Sequence, residues 1–118
     1  MLNPKNLSRS FRRAFHGLLK AFIEEQNFRI EIIYAVIILS TAVFLKISLV
    51  KLLILITSIS ILLVLELINS IIERFIDILK PRIHDYVAVI KDLMAAAVLV
   101  AGLTTLVVTI LIFWSYMG

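Results

Sequence analysis

Apolar residues near the N-terminus recur at the three- and four-residue spacing that places them on one face of a helix. They are Leu7, Phe11, Ala14, Phe15, Leu18 and Phe22. The opposite face carries the basic residues Arg9, Arg12, Arg13, His16 and Lys20. A helix with one apolar and one basic face is typical of a segment that lies in the membrane interface. We therefore predict a surface helix over about residues 5–26.

The rest of the chain contains three uncharged, strongly apolar stretches, at residues 32–45, 52–65 and 93–118. The first two are shorter than the ~20 residues that cross a bilayer, so the spans must include flanking residues. The side chain of Lys46 then reaches to the membrane surface, and Pro81 ends the second element. The pattern predicts three transmembrane helices, over about residues 28–50, 52–80 and 91–117.

The composition supports a membrane protein and excludes several other classes. The 118 residues are 62% hydrophobic and only 17% charged, with a mean hydropathy of +1.09. These values exclude a water-soluble monomer and a disordered chain. The sequence has no Cys residue, which excludes disulfides and thiolate metal sites, and no glycine-rich phosphate-binding motif. We expect an all-α membrane protein with one domain over residues 1–118. A chain this small encloses little volume alone, so we also expect an oligomer.

The net charge of +4 reflects where the basic residues lie. Of the twelve Lys and Arg residues, only Lys46 and Lys51 lie at the first predicted hairpin. The others precede the first span or surround the second connection. Since basic residues are retained on the cytoplasmic side of a membrane, we expect the N-terminus inside and the C-terminus outside, and no nucleic-acid partner.

A polar stripe interrupts the second predicted span. Its members lie at helical spacing on one face, at Glu66, Asn69, Glu73 and Asp77. Lys51 marks the outer surface, and a rise of about 1.5 Å per residue places Glu66 about 22 Å further in. A carboxylate inside a hydrocarbon core of ~30 Å is energetically costly. The stripe therefore indicates a functional site, and the alternative is an interhelical hydrogen-bond clamp that only fixes the bundle.

Further charged residues flank the spans on the same side. They are Glu24 and Glu25 before the first span, His84 in the second connection, and Lys91 and Asp92 at the third span. Carboxylates suit Mg²⁺, which takes one or two acidic ligands and completes its coordination with phosphate and water. Lys91 is placed to contact phosphate oxygens, although a single lysine in such a position is more often an interface anchor.

Several of these segments resemble motifs of the prokaryotic diacylglycerol kinase family, which includes the undecaprenol kinases. Residues 66–73 (ELINSIIE) resemble its E-x-x-N-[ST]-x-x-E signature. Residues 91–99 (KDLMAAAVL) are similar to its K-D…A-x-A-V-L segment, and His84 is similar to the histidine that precedes that segment. Gly17 and residues 25–31 resemble its N-terminal motif. The resemblance covers nearly the whole chain, in order and at the family's spacing.

The resemblance implies a lipid kinase of the bacterial inner membrane that works as a homotrimer with active sites between protomers. It implies transfer of the γ-phosphoryl group of ATP, with Mg²⁺, to a lipid hydroxyl at the cytoplasmic interface. Glu66 matches the proposed catalytic base, and Glu25 and Glu73 match the Mg²⁺ ligands. The positions that match nucleotide-site residues are Asn69, His84, Lys91 and Asp92. Those that match the lipid-headgroup region are Asn27, Phe28, Arg29 and Glu31.

Departures from the family pattern leave the acceptor open. Diacylglycerol would give phosphatidic acid, and undecaprenol would give undecaprenyl phosphate. Met94-Ala95 stand where the family often carries a serine. Glu31 is typical of diacylglycerol kinases, whereas residues 27–30 are closer to undecaprenol kinases. The far N-terminus does not align cleanly, which leaves the nucleotide-binding arginine open among Arg9, Arg12 and Arg13.

Two other classes compete with the kinase. A small proton-coupled membrane transporter would use Glu66 as its proton site, but the acidic residues cluster near one membrane face and the chain has no inverted repeat. A structural assembly subunit would not require the convergence of Glu25, Glu73 and Lys91. Phosphate transfer from ATP to a lipid distinguishes the kinase from both.

Overall fold

The computed structural model describes residues 3–117 and consists almost entirely of helices. The elements in chain order are α1 (Pro4–Glu24), α2 (Gln26–Phe44), α3 (Leu49–Leu79), a 3₁₀ turn (His84–Tyr86) and α4 (Val87–Met117). Helices α2 and α3 and the segment His84–Met117 are long and apolar enough to cross a membrane. An all-helical chain with an N-terminal helix and three candidate membrane-spanning helices is thereby confirmed. Met1, Leu2 and Gly118, at the ends of the predicted domain, lie outside the described residues.

Helix α1 begins at a clear local signal and leaves its apolar face uncovered. Asn3 is the N-cap, and its side-chain oxygen accepts a hydrogen bond from the Lys5 amide at 3.0 Å. Pro4 occupies the first helical position, where no amide hydrogen is needed. Phe11 and Phe15 on the apolar face are 70% and 69% exposed. This is the arrangement expected of a helix whose apolar face enters a membrane interface.

A single extended residue separates α1 from α2. Glu25 has φ −107° and ψ 112°, and α2 begins at the next residue. The Arg29 guanidinium donates hydrogen bonds to the carbonyl oxygens of Phe22 at 3.2 Å and Ile23 at 2.8 Å. These bonds satisfy acceptors that the end of α1 leaves free. Glu25 therefore lies at a fixed corner between the two helices.

The first hairpin turn is longer than the sequence predicted and lies earlier in the chain, at residues 45–48. Helix α2 ends at Phe44, several residues before its expected end, and α3 begins at Leu49, earlier than expected. Lys46 has a φ of 56°, which is incompatible with a right-handed helix. Ser48 is the N-cap of α3 and accepts a hydrogen bond from the Lys51 amide. The 19 residues of α2 rise about 28 Å, which is close to the ~30 Å thickness of a hydrocarbon core. The span therefore does not need residues beyond α2, and Lys46 lies in the turn.

Helix α4 also begins before its expected start. The 3₁₀ turn leads directly into Val87, so Lys91 lies within regular helix and not at its first residue. Helix α3 ends at Leu79, one residue before the predicted end, and Pro81 follows.

Helix α3 lies between α2 and α4 and packs against both. At the hairpin end of the bundle, Ala42, Leu55 and Ile112 form a buried apolar core that joins the three helices. Further along, the buried Thr105 hydroxyl lies within hydrogen-bond distance of two carbonyl oxygens, that of Ala101 in its own helix at 2.9 Å and that of Ser58 in α3 at 3.2 Å. These contacts fix the register of the antiparallel helices α3 and α4. That register sets the polar stripe of α3 opposite the first turns of α4, at the end of the bundle where α1 joins.

Candidate active site

A polar cavity of about 440 Å³ lies among α2, α3 and α4 at the α1 end of the bundle. Its polar lining consists of Asn27 from α2, Glu66, Asn69 and Glu73 from α3, and Lys91 from α4. Three residues of α4, Ala95, Val98 and Leu99, form an apolar wall. All five polar residues were singled out from the sequence. The packing of the three helices brings them together.

Glu66 is buried in this cavity, with 3% of its surface exposed. Asn27 lines the same cavity beside the Glu66 carboxylate, and the carboxylates of Glu25 and Glu73 also lie in its neighbourhood. Within residues 3–117, the Oε2 atom of Glu66 has no hydrogen-bond partner. Leaving a buried acceptor unpaired costs about 1–3 kcal/mol, and more when the group is charged. Such an oxygen is free to accept a hydrogen bond from a bound ligand.

Glu31 presents a second unpaired oxygen, one turn along α2 from Asn27. In the described part of the chain its Oε2 atom is also buried without a partner, and its carboxylate lies near that of Glu66. Two acceptor oxygens from facing helices thus meet beside the cavity. The resemblance placed Glu31 in the lipid-headgroup region. Its proximity to Glu66 follows from how α2 and α3 pack, which the spacing of residues along the chain does not reveal.

The carboxylates at the mouth of the cavity fit a magnesium site. Asn69 donates a side-chain hydrogen bond to Glu73 Oε1 at 3.4 Å. Glu73 is exposed and Glu25 is half-buried, so both retain accessible oxygens, and both lie near Glu66. Among residues 3–117, no three His, Asp or Glu side chains converge closely enough to enclose a metal ion by themselves. Mg²⁺ is typically held by one or two carboxylates, and phosphate and water complete its shell. A pair of carboxylates fits that mode.

One arginine at the site was not singled out from the sequence. Arg74 Nη2 lies 3.1 Å from Glu24 Oε2 and 3.7 Å from Glu25 Oε1. Arg74 also lines a second cavity, of about 460 Å³, between α1 and α3, together with Gly17 and Lys20. No sequence spacing links α3 to the end of α1, so only the fold reveals this contact.

The remaining predicted site residues lie outside the cavity lining. His84, Asp92 and Asp77 are exposed, and the nucleotide roles assigned to His84 and Asp92 stay predictions. Phe28 is 2% exposed and belongs to the core. Arg29 binds the end of α1 with its guanidinium. Four residues match the lipid-headgroup region of the family. Of these, Asn27 and Glu31 have polar side chains that lie near Glu66 in the structure.

Comparison with known proteins identifies the family. The family model for prokaryotic diacylglycerol kinase matches residues 12–113, a range that contains the whole cavity. The chain is 29% identical over 105 residues to the diacylglycerol kinase of Escherichia coli strain K12, covering 89% of this chain and 86% of that protein. It is 31% identical over 104 residues to the diacylglycerol kinase of Synechocystis sp., covering 87% of this chain and 59% of that protein. With the diacylglycerol kinase of Haemophilus influenzae it shares 30% identity over 96 residues, 81% of each chain. The chain therefore belongs to the prokaryotic diacylglycerol kinase family and is a lipid kinase.

Proposed function

We propose that the protein uses ATP and Mg²⁺ to phosphorylate the hydroxyl group of a membrane lipid, either diacylglycerol or undecaprenol. The observation that carries this proposal is the Glu66 carboxylate. It is buried in a polar cavity with one oxygen free to accept a hydrogen. A lipid hydroxyl lies at headgroup depth and ATP is soluble, so a base just inside the membrane boundary lies where the two substrates meet.

Each residue in or beside the cavity has a separate role in phosphoryl transfer. Glu66 accepts the proton of the lipid hydroxyl as the hydroxyl oxygen attacks the γ-phosphorus, the bond from that phosphorus to the β–γ bridging oxygen breaks, and ADP leaves. Asn27, beside the Glu66 carboxylate, is placed to orient it. Lys91 lines the cavity opposite α3 and supplies positive charge for phosphate oxygens. Glu25 and Glu73 would hold Mg²⁺, and the ion would supply positive charge for the phosphates of ATP. Phosphoryl transfer needs positioned substrates and stabilising charge, and it needs no covalent nucleophile. These side chains therefore include every type of group that the reaction requires.

The distribution of charge supports a kinase over a proton-coupled transporter. The sequence has no acidic residue between Glu31 and Glu66 and none after Asp92. The hairpin half of the bundle therefore offers no carboxylate that would carry protons onward. A pathway across the membrane needs such groups along its length.

The assembly we propose is a homotrimer in the bacterial inner membrane, with active sites between protomers and the α1 end in the cytoplasm. The concentration of basic residues on α1 and around the second connection supports this orientation. A groove of about 260 Å³ along α3 and α4, lined by Ser58, Ala97 and Ala101 among others, supports close approach of another helix. The mass of the complex in detergent, measured by light scattering, tests the trimer.

The function is tested with ATP radiolabelled in its γ-phosphate. The reconstituted protein is given Mg²⁺ and one of three lipids, namely diacylglycerol, undecaprenol or a diacylglycerol methyl ether that lacks the free hydroxyl. Label should enter at least one of the two alcohols and should not enter the ether. No labelled lipid with either alcohol, despite a folded protein, would refute the proposal. Proton uptake in vesicles without any dependence on ATP would support the transporter instead.

A further inference from the structure

Arg74 lies between two adjacent carboxylates, and the structure gives them different roles. Its guanidinium is closer to Glu24, at 3.1 Å, than to Glu25, at 3.7 Å. Glu25 lies near Glu66 and belongs to the proposed metal site, whereas Glu24 is the last residue of α1 and is half-exposed. Arg74 is thus in contact with one metal ligand and with one carboxylate outside the metal site.

The position of Arg74 on α3 explains why it reaches this corner and not the polar cavity. It follows Glu73, so its side chain is turned by about 100° around the helix. Glu73 lines the cavity that holds Glu66, and Arg74 lines the separate cavity beneath α1. From that side it approaches Glu24 and Glu25 without entering the polar cavity.

The corner between α1 and α2 has another anchor. Arg29 already binds the carbonyl oxygens at the end of α1 through two hydrogen bonds. The Arg74 ion pairs are half-exposed, and pairs of this kind add little to stability. Holding the helices together is therefore a weak explanation of Arg74, and its charge beside a metal ligand is the stronger one.

We propose that Arg74 is a positioning residue that is shared between Glu24 and Glu25 while no cation is bound and pairs with Glu24 alone when a divalent cation binds. This inference rests on the proposed function, because it takes Glu25 as a metal ligand. A divalent cation on Glu25 repels the guanidinium, and Glu24 is already within contact distance to receive it. Arg74 then competes with the metal, and Glu24 sets how readily Arg74 releases Glu25.

The test measures Mn²⁺ binding to the reconstituted protein without ATP, from the electron paramagnetic resonance signal of free Mn²⁺. Arg74→Gln should tighten binding about two- to five-fold, because the competing cation is gone. Glu24→Gln should weaken binding by a similar factor, because Arg74 is left with Glu25 alone. The double variant should bind like Arg74→Gln, since Glu24 acts through Arg74. Lys80→Gln is the matched control, because it removes a cation from the end of α3 and should leave binding unchanged.

The double variant decides between this mechanism and a simple effect of charge. If Glu24→Gln weakens binding equally with and without Arg74, Glu24 acts on the metal directly and the proposal is overturned. It is also overturned if the two single variants shift binding in the same direction, as loosening of α1 would cause. Glu25→Gln with unchanged Mn²⁺ binding would overturn both this proposal and the assignment of Glu25 as a ligand. The lipid-labelling assay reports on the kinase function separately.

Discussion

Replacing Glu66 by glutamine separates the chemistry of this side chain from its place in the fold. Glutamine has nearly the same shape and keeps a side-chain oxygen beside Asn27, but it cannot take up the proton of the lipid hydroxyl. Positioned bases contribute about 10² to 10⁴ in rate, or about 3–5 kcal/mol in activation free energy. We expect kcat to fall by a factor in that range. The KM for ATP should change little, because Glu73 and Lys91 remain in place.

The same substitution should not destabilise the protein. Glu66 is 3% exposed, lies near the carboxylates of Glu25 and Glu73, and has one unpaired oxygen within the described residues. A neutral amide removes the repulsion between these carboxylates. Glutamine keeps a buried polar atom in place of the unpaired oxygen, so the gain in stability comes from the lost repulsion alone. We therefore expect a melting temperature equal to or above that of the wild type.

Initial rates of lipid phosphorylation and thermal unfolding by circular dichroism, in the same detergent, check both expectations. Glu31→Gln is the matched control, because it makes the same chemical change at the other buried carboxylate with an unpaired oxygen. It should raise the KM for the lipid and leave kcat within about tenfold of the wild type. Full turnover by Glu66→Gln would refute its role as base. So would equal losses of kcat in both variants, or a loss that accompanies unfolding.

Three further predictions concern topology, metal and the helix corner. Single cysteines in place of Ser48 and Met117 should react with an impermeant thiol reagent only from outside the cell, and labelling of position 48 from the cytoplasm would contradict the orientation. Glu25→Gln and Glu73→Gln should each raise the Mg²⁺ concentration for half-maximal activity about tenfold or more in a folded protein. Unchanged titration curves would place the ligands elsewhere. Arg29→Ala should weaken the docking of the α1 end by about 1–3 kcal/mol, because two carbonyl oxygens lose a charged donor. Faster limited proteolysis near residue 25 would show this, Arg29→Lys should restore part of the protection, and equal cleavage of wild type and Arg29→Ala would contradict it.

The helices and the polar stripe follow from the sequence because both depend on local periodicity. Hydropathy identifies three long apolar elements, and helical spacing places Glu66, Asn69 and Glu73 on one face. The ends of the first hairpin were predicted less well. The uncharged stretch stops at Leu45, next to the end of α2 at Phe44, but the predicted span was extended to residue 50 to reach the length that crosses a bilayer. The backbone reversal depends on a positive φ at Lys46, for which the sequence gives no typical signal such as glycine.

The sequence pattern could not predict which residues of different helices come into contact. Arg29 lies in the segment assigned to the lipid headgroup, yet its guanidinium binds the end of α1. The reason is the extended conformation of Glu25, which ends α1 and leaves carbonyl oxygens without partners. Similarly, the contacts of Arg74 with Glu24 and Glu25 depend on how α1 folds back towards α3. Each contact requires a relative placement of helices that a one-dimensional pattern does not specify.

Two carboxylates repel each other, so another contact must hold Glu31 close to Glu66. That contact has to fix the rotation of α2 about its own axis. Tyr34 lies one turn from Glu31 on the same side of α2, and its hydroxyl forms a hydrogen bond with the buried hydroxyl of Thr109 on α4. Thr109 already donates its own hydrogen to the Thr105 carbonyl at 2.8 Å, so Tyr34 is the donor in this bond. The bond fixes the face that α2 presents to α3 and α4, and Glu31 is held towards Glu66 as a consequence. The neutral hydrogen bonds of the bundle thus hold together carboxylates that would otherwise separate, and under the proposed function their unpaired oxygens are the acceptors offered to a lipid hydroxyl.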